Sequence, residues 1–187
     1  MFERPPLLER FSVAHPAVPF VVYFPVGIYC AWRVAGLGFS AAAVAGTYLA
    51  GLFIWTLTEY VVHRASFHHE PVTEGQVAYT YLVHGVHHAY PDDSRRWVMP
   101  LIITAPLSAL FLLAFRILFG VAGEAVFAGF IHGYLAYDMI HYFVHRGRMP
   151  TRLGRFLRQY HLAHHYTKPD ANYGVSSPLW DVVFRTR

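Results

Sequence analysis

The sequence predicts an all-α integral membrane protein, with about four transmembrane helices and a histidine-rich cap on one side of the bilayer. Hydrophobic residues make up 55% of the 187 residues and charged residues only 14%, which is apolar for a soluble domain. Four long apolar stretches follow one another along the chain, and 12 of the 13 histidines lie between positions 63 and 165. The composition therefore favours a membrane, and the histidines favour chemistry at one of its surfaces.

The apolar stretches each approach or exceed the ~20 residues that cross a hydrocarbon core as a helix. They run over residues 17–37, 39–62, 97–119 and 121–144. Without water to satisfy the backbone, helix is the conformation expected for such isolated spans. The first stretch contains Pro19, Pro25 and Arg33, so a kinked or re-entrant segment is the alternative there. Small residues occur at Gly129 and Gly133, and at every fourth position from Ala42 to Ala50. They permit close contacts between helices, or they are simply residues that membrane helices tolerate.

The positive charges predict which side of the membrane the polar segments occupy. In a hairpin topology with both termini on one side, only Arg33 and Arg116 lie near the far turns, and the other 13 of 15 basic residues lie on the near side. The positive-inside rule makes that near side cytoplasmic. We therefore expect one domain over residues 1–187, composed of an N-terminal tail (1–16), a transmembrane core (17–145) with a cytosolic loop at 63–96, and a cytosolic cap (146–187).

Ten histidines form four clusters that this topology brings to one face. The clusters are His63 and His68; His84, His87 and His88; His141 and His145; and His161, His164 and His165. Imidazole binds zinc, iron, copper and nickel, and ten ligands exceed the needs of one ion but suit two ions at four or five each. Positions i, i+3 and i+4 share a helix face, whereas the spacing of five between His63 and His68 does not. The chain must bend after His63, or these two histidines serve different ions. The sequence thus predicts a cytosolic di-metal cap.

Other polar residues near the clusters are candidates for supporting roles. Glu59 and Asp138 lie about one turn before His63 and His141, where a carboxylate can orient the far nitrogen of a ligand ring. Charges near the ends of apolar spans are costly and usually functional. The candidates for substrate contact are His132, Tyr137, Tyr142, Asn172 and Tyr173. For His132 the alternative is an ordinary core histidine, and for Asn172 it is a structural role in a loop.

The combined motifs resemble those of the fatty acid hydroxylase / sterol desaturase superfamily, and most of all the sphingolipid fatty acid 2-hydroxylases. The likeness spans residues 59–184 and includes HGVHHAYPDD, GYLAYDMIHYFVHR, YHLAHHY and NYGVSSPLWDVVF. It implies a membrane monooxygenase that uses two iron ions and O₂ to hydroxylate a fatty acyl chain, at C2, free or within a sphingolipid or ceramide. It also implies the ten clustered histidines as ligands. Zinc can replace iron in such a site, because zinc binds these ligands more tightly than Fe(II).

The resemblance also implies partners. Eukaryotic members often carry an N-terminal haem domain of the cytochrome b type, for which this chain has no room, so we expect a separate electron-transfer protein as external electron donor. The other expected partner is the membrane lipid substrate, nucleic acid is not expected, and the oligomeric state is open. The short chain and the lack of a C-terminal retrieval signal favour a bacterial plasma membrane over the endoplasmic reticulum.

Other functions stay open at this point. Sterol oxidation, carotenoid hydroxylation or alkyl-ether cleavage would use the same metal core with a differently shaped substrate tunnel. A membrane metal transporter would also need histidines and apolar helices, but it should place its ligands near the bilayer midplane. All ten candidate ligands here lie at the ends of the apolar stretches or beyond them, which favours an enzyme.

Overall fold

The computed structural model describes residues 13–147 and 149–187, and every regular element among them is helical. Residues 1–12, which form most of the predicted N-terminal tail, and Arg148 lie outside the described residues. The helices are α1 (Ala17–Gly36), α2 (Ala41–Val62), α3 (Glu74–Thr80), α4 (Val86–Ala89), α5 (Leu101–Phe119), α6 (Gly123–Arg146), α7 (Arg152–Tyr166) and α8 (Leu179–Phe184).

The four longest apolar helices overlap the four predicted stretches. Judged by length and composition, the described residues contain three segments able to cross a membrane: Ala17–Gly36, Ala41–Phe67 and Ser94–Arg146. The third segment comprises both α5 and α6, joined by a short turn at Gly120, whose φ of 59° suits glycine. The prediction of an all-α membrane protein is confirmed, and α1 continues as a helix through Pro25.

Helix α6 lies at the centre of the fold and packs against α1, α2 and α5. Its contact with α2 is close, because glycines let the two backbones touch. A Cβ atom at Gly129 would lie 1.8 Å from the Tyr48 carbonyl oxygen, and one at Gly51 would lie 1.9 Å from the Val126 carbonyl oxygen. Among the described residues, a Cβ at Gly46 would meet nothing within 4 Å. The small residues of α6 therefore mark a helix contact, whereas Gly46 does not.

An ionic cluster joins three helices at the end of the fold away from the clustered histidines. The Arg33 guanidinium of α1 binds the Glu124 carboxylate of α6, with Nε 2.6 Å from Oε2. Arg116 of α5 contributes a second cation, 3.3 Å from Oε1 of the same carboxylate. Because Glu124 is 4% exposed, its charge depends on these partners. They fix the far ends of α1, α5 and α6.

Candidate metal centre

The ten clustered histidines converge into two groups of five. We call the set His63, His68, His84, His88 and His164 the first group, and the set His87, His141, His145, His161 and His165 the second group. Within each group, one ring nitrogen from every histidine lies within 4.8 Å of the others. The structure thus brings all ten predicted ligands together and divides them equally.

The spacing of the ring nitrogens suits metal ions. In the first group, Nε2 of His84 lies 3.0 Å from Nε2 of His63 and 2.9 Å from Nε2 of His88. In the second group, Nε2 of His161 lies 2.9 Å from Nε2 of His145 and 3.0 Å from Nε2 of His165. Two ligands at right angles around an ion, each bonded at about 2.1 Å, lie about 3.0 Å apart. One ion per group would satisfy all five lone pairs, so the residues fit two metal ions.

Backbone carbonyls hold three of these rings in the orientation that ligation requires. Nδ1 of His63 donates to the Tyr173 carbonyl at 2.5 Å, Nδ1 of His141 to the Trp97 carbonyl at 2.7 Å, and Nδ1 of His164 to the Ala171 carbonyl at 2.7 Å. A carbonyl can only accept, so the proton sits on Nδ1 and the lone pair on Nε2 faces the group. These contacts fix the tautomer as well as the ring position.

Both H-x-x-H-H motifs divide between the two groups. The outer histidines of the first motif, His84 and His88, join the first group, while His87 joins the second. The other motif does the reverse, since His161 and His165 join the second group and His164 joins the first. Each group therefore contains a pair from the end of a long helix, an i, i+4 pair from one motif, and a single histidine from the other.

A π-helical turn explains how His63 and His68 reach the same group. The turn covers His63–Phe67 and closes with a hydrogen bond from the His68 amide to the His63 carbonyl at 3.1 Å. This i to i+5 bond makes the turn wider than an α-helical turn, so residues five apart come onto one side. A second π-helical turn, Tyr81–Gly85, contains His84. The bend expected after His63 is thus a π-helical turn.

Burial keeps candidate ligands of both groups neutral. Loss of hydration lowers the pKa of His68 to about 4 and that of His88 to about 3, and the nearby His164 ring lowers both further. For the same principal reason the pKa of His84 and the pKa of His161 lie well below the usual value. Neutral imidazole is the metal-binding form, so these side chains need not release a proton to bind an ion near neutral pH.

Glu59 acts on the centre through the backbone of a loop. Its carboxylate accepts hydrogen bonds from the Val175 amide at 2.6 Å, the Ser176 amide at 2.8 Å and the Ser176 hydroxyl. Asp181 holds the preceding part of the loop, accepting from the Tyr173 amide at 2.9 Å and the Gly174 amide at 2.7 Å. Together these buried carboxylates position the Tyr173 carbonyl that orients His63.

Asp138 lies one turn before His141 but is placed differently from Glu59. It is 1% exposed, and its carboxylate interacts with the nearby Tyr134 hydroxyl, which is also buried. Among the described residues neither group has a further hydrogen-bond partner. The far nitrogen of His141 donates to the Trp97 carbonyl rather than to Asp138. Both polar side chains instead line a cavity.

The cavity has a volume of about 620 Å³ and runs between α2, α5 and α6 up to the metal centre. One stripe of α6 lines it, comprising Phe130, Ile131, Tyr134, Tyr137, Asp138 and His141. His84 and His87 line the same end as His141, so the cavity reaches ligands of both groups. Most of the remaining wall is apolar. The space is of the size found for small-molecule sites, and its one polar end is the metal centre.

The other predicted substrate residues have varied surroundings. Tyr137 lines the cavity, whereas Tyr142 packs on Trp97 with ring centroids 5.2 Å apart. His132 binds the Tyr48 hydroxyl at 2.9 Å and the Phe24 carbonyl at 3.1 Å, which agrees with the core alternative. Asn172 adopts a φ of 59° in the loop before α8, and its neighbour Tyr173 packs its ring against His63, His68 and His164.

Sequence reasoning missed several residues that build the centre. The carbonyls of Trp97 and Ala171 carry no side-chain signal, because any residue supplies the same acceptor. Asp181 did leave a signal, since it is a lone carboxylate inside the apolar run LWDVVF and is fully buried. A buried acid in an apolar run usually accepts hydrogen bonds from nearby polar groups.

Comparisons with known proteins agree with this geometry. A sequence model of the family described as fatty acid hydroxylase matches residues 48–186. A solved structure described as full-length scs7p with only the hydroxylase domain visible is similar over 96% of this chain and 69% of that chain, with a TM-score of 0.89 and 36% identity. The matched regions include both histidine groups.

Curated relatives are similar to this chain over most of its length. The dihydroceramide fatty acyl 2-hydroxylase FAH1 of Arabidopsis thaliana is 37% identical over 171 residues, which cover 91% of this chain and 72% of that protein. The ceramide very long chain fatty acid hydroxylase scs7 of Schizosaccharomyces pombe is 40% identical over 162 residues, covering 83% and 45%. The fatty acid 2-hydroxylase of Homo sapiens is 34% identical over 147 residues, covering 75% and 39%.

Proposed function

The chain belongs to the fatty acid hydroxylase family, and from that premise we propose that it is a di-iron monooxygenase that hydroxylates C2 of a fatty acyl chain. The acyl chain is either free or part of a ceramide or related sphingolipid, as the names of the relatives suggest. One observation carries the proposal. An apolar cavity inside the helices ends at His84, His87 and His141, which belong to two adjacent sets of five ligands.

Two bound iron ions would supply the redox chemistry that activates O₂ and inserts one oxygen atom into a C–H bond, for which amino-acid side chains have no equivalent. Donor chemistry supports iron or zinc, since both groups offer nitrogen alone. Only iron of these two changes oxidation state. Zinc in purified protein would therefore occupy the same ligands without supporting turnover.

The protein's own residues bind and orient the lipid. The apolar walls from α2, α5 and α6 hold the hydrocarbon tail and keep water from the reacting carbon. Asp138 and Tyr134 offer hydrogen-bonding atoms near the ligand end, where the polar carbonyl end of an acyl chain must lie if C2 reacts. Helices α2 and α5 pack chiefly on α6 rather than on each other, so we propose that lipid enters sideways between them.

The electrons come from a separate electron-transfer protein in this proposal. Arg146 at the end of α6 and Arg152 and Arg155 at the start of α7 are exposed. They lie close in the sequence to the three candidate ligands of α7 and would attract an acidic donor. The positive-inside rule supports a cytoplasmic position for this face. The relatives compared above come from a plant, a yeast and a mammal, and they lend no support to the expectation of a bacterial membrane.

The alternatives are less consistent with the cavity and the ligands. A membrane metal transporter needs ligands along a route through the bilayer, whereas the ten histidines form two closed sets at one end of the helices. Sterol or carotenoid oxidation would use the same centre on a bulkier or longer substrate. Identification of the oxygenated lipid separates these oxidations from acyl hydroxylation.

The proposal is tested by lipid mass spectrometry in a host that makes no 2-hydroxy acyl chains. The host expresses the wild type, His141→Ala or His69→Ala together with a suitable reductase system. We expect 2-hydroxy acyl chains from the wild type and from His69→Ala, because His69 is exposed and outside both groups. His141→Ala should form none. An oxygenated sterol or carotenoid instead, or altered metal uptake with unchanged lipids, would refute acyl hydroxylation.

A further inference from the structure

We propose that Phe111 and Phe130 form the floor of the cavity and thereby set the length of acyl chain that is hydroxylated most efficiently. This inference rests on the proposed function, since it assigns the cavity to the hydrocarbon tail of the substrate. The two rings come from α5 and α6, with centroids 4.5 Å apart. Both line the cavity. Of the α6 residues that line it, Phe130 is the one farthest along the helix from His141, and Phe111 packs against it.

The residue behind these two rings shows that the cavity ends there. Phe115 follows Phe111 by about one turn of α5, and its ring centroid lies 5.4 Å from that of Phe130. Phe115 is buried in the aromatic core and does not line the cavity. Beyond it, α5 and α6 meet closely, because a Cβ at Gly123 would lie 2.1 Å from the Phe115 carbonyl oxygen. At this end of the cavity, the tail of a bound chain therefore meets aromatic side chains.

The distance from the cavity floor to the candidate ligands is comparable with the length of an extended acyl chain. Phe130 and His141 are eleven residues apart on one helix, which corresponds to about 16 Å at a rise of ~1.5 Å per residue. Carbon–carbon bonds of about 1.5 Å zigzag at about 111°, so an extended chain advances only about 1.25 Å per bond and needs about thirteen bonds to cover that distance. Because C2 must lie at the metal centre, each further methylene group pushes the chain end towards Phe111 and Phe130.

Changing the floor should change the chain-length profile without changing the chemistry. Phe111→Ala deepens the cavity towards Phe115, and Phe111→Trp makes it shallower. We expect Phe111→Ala to raise the ratio of longer to shorter 2-hydroxy products by about fourfold for each methylene group newly accommodated, the factor that corresponds to ~0.8 kcal/mol per buried CH₂. Phe111→Trp should shift the ratio in the opposite direction.

The experiment supplies the expressing host with an equimolar mixture of saturated fatty acids of graded length and measures the 2-hydroxy acids after hydrolysis of total lipids. Phe119→Ala is the matched control, because Phe119 lies on the same helix but is exposed and outside the cavity. Opposite shifts for Phe111→Ala and Phe111→Trp, with the control unchanged, support the proposal. If both Phe111 variants gave hydroxylated products with the wild-type length distribution, the role of these residues in chain-length selection would be refuted and the proposed function would stand. Absence of 2-hydroxy acids from the wild type would overturn the proposed function and this inference with it.

Discussion

At the scale of single residues, the most informative feature is the division of adjacent histidines. His87 and His88 are neighbours in the sequence, yet they belong to different groups. Successive residues on a helix point about 100° apart, so a helix lying between two ions presents one face to each. The segments 84–88 and 161–165 each contribute histidines to both groups and therefore link them.

This division makes a prediction about pairs of substitutions. His88→Ala combined with His164→Ala removes two ligands from the first group alone, and we expect about one metal ion per chain to remain bound. His88→Ala combined with His165→Ala removes one ligand from each group and should weaken the binding of both ions. Measuring metal per purified chain during titration with a chelator checks this. Equal loss of both ions in the two double variants would contradict the division.

The sequence was sufficient to predict which ten histidines assemble, because four clusters followed the ends of two apolar stretches. It did not predict the division into groups, which depends on how α4 and α7 are rotated between the two groups. Nor did it predict how the rings are oriented. Trp97 and Ala171 act through backbone carbonyls, and Glu59 acts through the amides of Val175 and Ser176, so tertiary contacts decide these roles.

At the scale of elements, the contact between α2 and α6 determines how the two metal groups face each other. The pair His63/His68 follows the end of α2, the pair His141/His145 lies at the end of α6, and the two pairs belong to different groups. Their separation depends on Gly51 and Gly129, where each backbone touches the other. A side chain at this contact would push apart the two helices that bring the ligands together.

Replacement of glycine by alanine tests this role. Gly129→Ala should destabilise the protein by at least about 1–3 kcal/mol, the usual cost of overpacking, and should lower its metal content. Gly46→Ala is the matched control on α2, since its Cβ meets nothing within 4 Å. The control should be neutral or slightly stabilising, because alanine is the better helix former. Thermal unfolding in detergent, with metal analysis, compares them, and equal melting temperatures would count against the close contact.

The helices themselves could be predicted from hydropathy, but two of their boundaries could not. The third apolar stretch begins at Trp97, whereas α5 begins at Leu101. The intervening residues extend past α6, so that the Trp97 carbonyl can accept from His141. The π-helical turn after α2 likewise depends on convergence of His63 and His68 on one set of ligands. Hydropathy contains no information on either requirement.

At the scale of the whole molecule, the two ends of the helical core are held by different forces. At the far end, Glu124 joins Arg33 and Arg116, an arrangement that needs no bound ion. At the other end, the candidate ligands come from the 63–88 segment, α6 and α7, which lie far apart in the sequence. Metal ions would connect these segments, and their binding free energy would add to the stability of this end.

Metal removal should therefore loosen the protein locally rather than uniformly. After chelation, we expect faster amide hydrogen exchange in the segments at 68–100 and 161–177, because five nitrogen lone pairs in each group would then face one another without a cation. The interior of α6 should keep its protection, since Ala125, Ala128 and Phe130 are buried against neighbouring helices. Hydrogen-exchange mass spectrometry before and after chelation, followed by restoration of iron, measures this. The opposite result would be an equal rise in exchange in the interior of α6 and in the ligand segments. Metal binding and packing of the apolar helices would then form a single cooperative unit. The ionic cluster at the far end would then be too weak to hold the helices together alone.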